Sequence, residues 1–352
     1  MQIPGTQLAA SLQRQLRPLY TLHGDDPLLQ QEALDALRAS ARAQGYTERE
    51  VFTVSGAHFD WSAVHAGAQS VSLFADRKIV EIRIPSGKPG KEGGLALQQL
   101  AERAGAHTEV LTLVVLPRLD GTATKSAWFA ALDSQGVTVR LDPVERAQLP
   151  AWMAQRLQSQ GQRVASGEEG QRTLAFMADR VEGNLLAAHQ EIQKLGLLYP
   201  PGELRFEQVE RAVLNVARYD PFKLAEAVLD GQPTRAQRML DGLQAEGTAP
   251  VLVHWALSEE IRSLWRVKMA TAEGRPMPMA LRENRIWGPR EKRYEKVLPR
   301  LSIPDLEQWV LSAHLIDGIT KGLRSPDWPS DPWLALHALA QTVCQACAAR
   351  PA

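Results

Sequence analysis

Apolar and polar positions change period partway along this chain. Up to about residue 142, short β-branched or apolar runs alternate with stretches whose apolar residues recur every three or four positions. Five runs predict strands: residues 19–22, 51–54, 79–84, 110–116 and 137–141. Helices are predicted between them. The first is well marked, because Asp26 can cap it, Pro27 suits its first turn, and Leu28, Leu29, Leu34 and Leu37 form an apolar face. Strands separated by helices imply a mostly parallel sheet with helices packed on it. Residues 86–94, rich in Gly and Lys, read as a flexible surface loop after the third strand.

After Asp142-Pro143 the strand signals stop. A helix is predicted from Leu149 to about Gly161. Ser166 with Glu169 has capping-box spacing for the next, which carries Leu174, Met177 and Val181. Gly183-Asn184 opens a third, and a fourth follows around Phe206, Val209 and Val213. Asp220 caps a new helix that Gly231 ends, and only helices are predicted beyond it, with Pro-rich breaks at residues 276–278 and 326–332. The plan is an α/β domain over 1–142, a small helical domain over 143–215 and a longer helical domain over 216–352.

Between a helical pattern ending near Ser70 and a strand pattern starting at Ile79 lies Gln69-Ser70-Val71-Ser72-Leu73-Phe74. The adjacent Leu73 and Phe74 fall at a helix-to-strand turn, where two large apolar side chains are awkward to bury. An apolar tip on a turn suits docking into another protein's pocket. The competing reading is that both side chains fold back onto the local core.

Composition narrows the field mainly by exclusion. Forty Lys and Arg balance forty Asp and Glu across 352 residues, so global charge steers nothing toward nucleic acid and any such contact needs a local patch. Two cysteines, Cys344 and Cys347, rule out a disulfide scaffold and fit a reducing cytoplasm. Buried packing is expected for both, since no second pair completes a zinc site. His314 and His337 are isolated on helical patterns and are expected to pack rather than bind metal. No basic N-terminal region precedes an apolar run, and no apolar run is long enough to span a membrane.

An α/β domain followed by a small helical domain is a common ATPase plan. Such an enzyme needs a Gly-rich loop after its first strand, with Lys and Ser or Thr entering the helix. Here that strand runs into His23-Gly24-Asp25-Asp26-Pro27. Two carboxylates would repel a triphosphate, and Pro27 removes a donor. The third strand ends Arg83-Ile84-Pro85-Ser86, without a carboxylate for Mg²⁺, and the Gly-Lys run at 87–91 has the wrong spacing after the wrong strand. No cofactor, metal ligand or catalytic residue is therefore expected. Glu259-Glu260 is poorly placed for acid–base work, since neighbours on a helix diverge.

Several stretches together resemble the delta subunit of the bacterial DNA polymerase III clamp loader: Leu22-His23-Gly24-Asp25-Asp26-Pro27-Leu28-Leu29, Ser72-Leu73-Phe74-Ala75-Asp76-Arg77, Trp128-Phe129-Ala130-Ala131-Leu132, Gln148-Leu149-Pro150-Ala151-Trp152, Glu182-Gly183-Asn184-Leu185-Leu186-Ala187 and Pro221-Phe222. The resemblance implies an AAA+-like parallel-sheet domain without a functional phosphate loop, then a helical lid and a helical collar. Leu185 and Leu186 stand where active relatives carry a nucleotide-sensing arginine, and the Ser-Arg-Cys motif of sister subunits is absent. In that family the Leu-Phe pair plugs into the ring-shaped sliding clamp, the beta subunit. By that match Leu73 and Phe74 form the plug, and Gln69 and Ser72 are polar positions of the clamp-binding hexapeptide. Further implied partners are the gamma/tau ATPase subunits, delta-prime and primed DNA, within a DNA-directed DNA polymerase holoenzyme.

Residues 262–300 hold eleven Lys or Arg against four Glu, with Trp265, Trp287 and Tyr294 interleaved. Arg290, Lys292 and Arg293 are candidates for contact with DNA or a neighbouring subunit. A solvated helical face with its aromatics turned inward is the plainer reading. Two other functions stay open on the sequence: an active DNA-dependent ATPase or helicase with an unusual nucleotide loop, and a DNA-binding adaptor that needs no clamp.

Overall fold

The computed structural model describes residues 1–56, 59–69, 77–104, 109–214 and 216–348, and of Gln69 the backbone only. The chain separates into two compact units, residues 1–155 and 156–352. Among the described residues no helix is long and apolar enough to cross a membrane.

The first unit is built on six parallel strands: β1 (Gln2–Pro4), β2 (Leu19–His23), β3 (Glu48–Thr53), β4 (Lys78–Arg83), β5 (Val110–Leu116) and β6 (Val137–Arg140). Their order is β1-β6-β2-β5-β4-β3. The connection from β2 to the far edge at β3 runs opposite to every later step, so right-handed crossovers place its helix, Pro27–Ala43, on one face. The helices Trp61–Gln69, Gly90–Arg103 and Ala127–Gln135 cover the other. β5 shows the consequence. Leu111, Leu113 and Val115 enter the core under Pro27–Ala43, while Val110, Val114 and Leu116 enter the opposite core. Burial on both faces is why this strand reads as a nearly continuous apolar run, interrupted only by the buried Thr112.

One polar group interrupts the first of these cores. Glu81 of β4 is fully buried, 2.7 Å from Arg38 of the covering helix and 2.7 Å from Arg83 at the strand end.

Several features differ from the sequence expectation. β1 pairs with β6, Gln2 opposite Thr138, but three residues are too few to show a period. The stretch 86–94 is only partly a loop, since a helix begins at Gly90. Gly93 there is buried against the Trp61 ring, where a methyl group would not fit, so close packing explains that glycine, whereas Gly87 and Gly90 take positive φ. Strands also return after residue 142: β7 (Gln162–Val164) and β8 (Gly202–Leu204) form a small parallel pair in the second unit.

The second unit otherwise holds helices. Glu168–Val181, Leu185–Leu198 and Phe206–Ala212 make its first part. Gly167, not Ser166, occupies the N-cap of Glu168–Val181, which puts Glu169 one residue short of the position a capping box needs. The second part comprises Pro221–Leu229, Pro233–Ala245, Pro250–Ala272, Met277–Glu283, Pro289–Val297, Ile303–Thr320 and Pro332–Cys347 around one core. Each of these helices carries proline in its first turn, where the missing N–H is lost at no cost.

Candidate functional site

The C-terminal ends of β2, β4 and β5 border a cleft of about 400 Å³. Open parallel sheets usually bind ligands at this edge. Here the chain's own groups take up the polar contacts. The Asp26 carboxylate accepts from the N–H groups of Leu28 (2.9 Å) and Leu29 (3.1 Å), the donors a phosphate would need. Asp25 accepts from the Arg118 N–H at 2.8 Å. The Gln30 side-chain amide donates to the carbonyls of Gly24 and Leu116, the latter at 3.2 Å, and so ties β2 to β5 across the cleft. Gly24 is pressed against the Leu141 backbone, where any side chain would clash. At the end of β4, Arg83 turns back to Glu81.

Leu73, Phe74 and Ser72, with the side chain of Gln69, lie outside the described residues. The elements that bracket them are firmly seated. Trp61 and Val64 of the preceding helix are buried on the sheet, and Gly67 lies against Phe52 of β3. On the far side, Arg77 donates to the Gln44 carbonyl at 2.6 Å and stacks over the Tyr46 ring.

In the C-terminal helices the basic stretch is largely engaged internally. Arg290 lies 2.9 Å from Glu260, which also accepts from the Tyr294 hydroxyl at 2.5 Å. Burial, with the Glu260 charge adding to it, pushes the Tyr294 phenol far up. Arg293 contacts Asp230 at 2.9 Å and Glu226 at 3.3 Å. Lys292 is exposed. Trp265 packs on the core, whereas Trp287 stands out into solvent. Glu259 turns toward Arg262 and Arg266 and Glu260 toward Arg290, so the neighbouring carboxylates diverge.

Cys344 and Cys347 are buried free thiols, pushed up to about 11 and about 12 by that burial. His337 is half-buried, 3.1 Å from Asp241. His314 is exposed and does not pack, because it lies on the side of Ile303–Thr320 turned away from the core, opposite Ala313 and Ile316. No group of side chains suited to a metal ion occurs among the described residues. His254 lies between Ser258 (2.9 Å) and Asp317 (3.9 Å), a Ser-His-Asp likeness. Its Nε2 also meets the Ala313 carbonyl at 2.7 Å, and Ser258 is fully buried, so the group staples two helices together. Burial holds the His254 imidazole below its usual range.

The sequence reading missed an apolar surface on the same helices. Phe222 and Trp255 stack edge to face and are both exposed, beside exposed Val251, Leu311 and Leu315. The i, i+4 pairs Val251/Trp255 and Leu311/Leu315, off the buried stripe, were its available signal.

Residues 20–142 match the family described as DNA polymerase III, delta subunit. Residues 221–349 match the processivity clamp loader gamma complex DNA pol III C-term family. The DNA polymerase III subunit delta of Escherichia coli K12 is 33% identical over 338 residues, 96% of this chain and 95% of that one. Its counterpart in Haemophilus influenzae is 28% identical over 352 residues, covering 96% and 98%. The solved Bacillus subtilis DNA clamp loader delta protein superposes with a TM-score of 0.52 at 16% identity, covering 97% of this chain and 99% of that one, a likeness of fold. The chain therefore belongs to the DNA polymerase III delta-subunit family and is a clamp-loader delta subunit.

Proposed function

We propose that this subunit does no nucleotide chemistry of its own and opens the sliding clamp for loading onto primed DNA. One observation carries the first half. The groups that would cradle a triphosphate are already bonded within the chain, through Asp25, Asp26 and Gln30. Two carboxylates also stand where phosphate charge would fall. Calorimetric titration with Mg·ATP is expected to give no heat above dilution. Tight binding would instead favour the active-ATPase reading.

In the second half, Leu73 and Phe74 enter an apolar pocket of the beta clamp, with Gln69 and Ser72 as polar flanks. Opening the ring requires that this face fit a clamp with one interface sprung better than a closed one, because a ligand shifts an equilibrium only by its differential affinity. The helix Trp61–Gln69, anchored on the sheet, serves as a rigid mount. ATP bound by the gamma/tau subunits controls when the face is available. These subunits and delta-prime dock chiefly on the C-terminal helices, where the exposed Phe222, Trp255 and Leu311 supply an apolar surface. Capture of the clamp by the whole chain is the direct test.

Primed DNA meets the assembled complex near Lys292. Arg290 and Arg293 contribute less there, because each is held by acidic partners. In the assembled loader, Lys292→Ala is expected to lower the slope of log K against log[salt] by about 1. An unchanged slope removes Lys292 from the DNA face.

A further inference from the structure

The second unit has a junction that looks like a linker in the sequence and does not behave as one in the fold. Residues 213–220 join the last helix of the lid to the first helix of the collar. Val216 N–H donates to the Arg180 carbonyl and Arg218 N–H to the Glu182 carbonyl, both at 2.8 Å. The Asn184 side-chain amide donates to the Val216 carbonyl at 3.2 Å, and Glu191 accepts from the Leu214 N–H at 3.2 Å. Leu214, Val216 and Arg218 are thus held by the end of the lid helix Glu168–Val181 and by residues that follow it. Gly183 makes the fit possible: its φ is 76°, and a side chain there would strike the Arg218 carbonyl.

Side chains then cross from lid to collar. Glu182 is buried and accepts two donors from the Arg235 guanidinium, one at 3.0 Å. One turn earlier, Asp179 pairs with Arg238. Both arginines lie on one face of the collar helix Pro233–Ala245, while Asp179 sits in the last turn of the lid helix and Glu182 is the C-cap residue just beyond it. The Tyr219 ring is wedged beside them against Gly242 of the same collar helix. Both Arg235 donors meet the same oxygen, Oε1, a charge-assisted contact that holds this edge of the guanidinium against Glu182.

We infer that lid and collar form one rigid lever, locked by Glu182–Arg235 and Asp179–Arg238 over a strapped linker. Movement imposed on the collar then reaches the lid without a hinge between them. What the lever is used for rests on the loader reading above; its rigidity does not.

Spin labels at Gln171→Cys in the lid and Glu295→Cys in the collar read the lock by pulsed electron resonance on the full chain. The native thiols are buried and held protonated, which keeps the label off them. A single narrow distance is expected in the free chain. It should be unchanged in the loader assembled with its ATPase partners, with or without a non-hydrolysable ATP analogue. Arg235→Ala with Arg238→Ala should lose the narrow distribution. The charge swap Asp179→Arg with Arg238→Asp should keep it, which separates loss of the lock from loss of folding. Two distances in the free chain, a shift on adding nucleotide, or a narrow distribution in the double alanine variant overturns the inference. Failure to capture the clamp with the narrow distance intact would instead count against the loader reading alone.

Discussion

Replacing Leu73 and Phe74 together by alanine is expected to abolish capture of the sliding clamp while leaving the melting curve of the chain in place. Burying one Leu and one Phe side chain in a partner's pocket is worth roughly 3–6 kcal/mol together. Losing that contribution weakens binding by on the order of 10²–10⁴ in dissociation constant. If these side chains instead belonged to the core, the same truncation would cost about 5–10 kcal/mol of folding stability. The two outcomes are therefore well separated. Surface plasmon resonance on immobilised clamp reads the first and a urea melt the second. Undiminished binding by a folded double variant would remove the plug, and with it the mechanical basis for ring opening. A ring-release assay on the same proteins extends the test. Single substitutions at Gln69 or Ser72 should shift affinity less, since polar groups at a contact rim lose water as they gain partners.

The second large effect is expected in the first core. Arg38→Ala should destabilise the chain by about 3 kcal/mol, the lower end of the range for breaking a buried ion pair. Arg38 meets one carboxylate oxygen of Glu81 and Arg83 the other, both at 2.7 Å. Removing Arg38 leaves one oxygen of a fully buried carboxylate without its cation. Arg83 remains but is half-exposed, so it offsets only part of the loss. For a unit of this size the drop corresponds to roughly 6–12 °C in melting temperature. Adding Glu81→Leu to Arg38→Ala should recover most of it, because the charge is removed along with its partner. A single variant as stable as the parent would mean that water reaches Glu81 and that the strand is less enclosed than its neighbours indicate. Neither residue is among the proposed clamp contacts, so clamp affinity at low temperature should be unaffected.

Much of the architecture was readable from residue order alone, for local reasons. A strand buried on both faces is apolar at nearly every position, which is why residues 110–116 stood out. Asp26-Pro27 and Asp220-Pro221 announced helix starts because a carboxylate cap and a fixed φ act within four residues. The absence of a Gly-rich phosphate-loop motif was also legible, since Gly24-Asp25-Asp26-Pro27 stands where its glycines and lysine would be. The shortest elements were not legible. β1, β7 and β8 have three residues each and form only because a distant partner strand offers its free backbone groups.

What the chain determined by itself, then, was its sheet-and-helix plan and the lack of a Gly-rich phosphate-loop motif after its first long strand, because both depend on neighbours in sequence. Tertiary structure alone decided which charges are available. Arg290 and Arg293 looked as free as Lys292 until Glu260, Asp230 and Glu226 arrived from other helices. Gln30 carried no signal until β2 and β5 came together beneath it. Arg235 and Arg238 became a lock only when folding brought Glu182 and Asp179 opposite them. An ion pair between residues some fifty positions apart leaves no periodicity to read, since its partners are chosen by packing rather than by spacing.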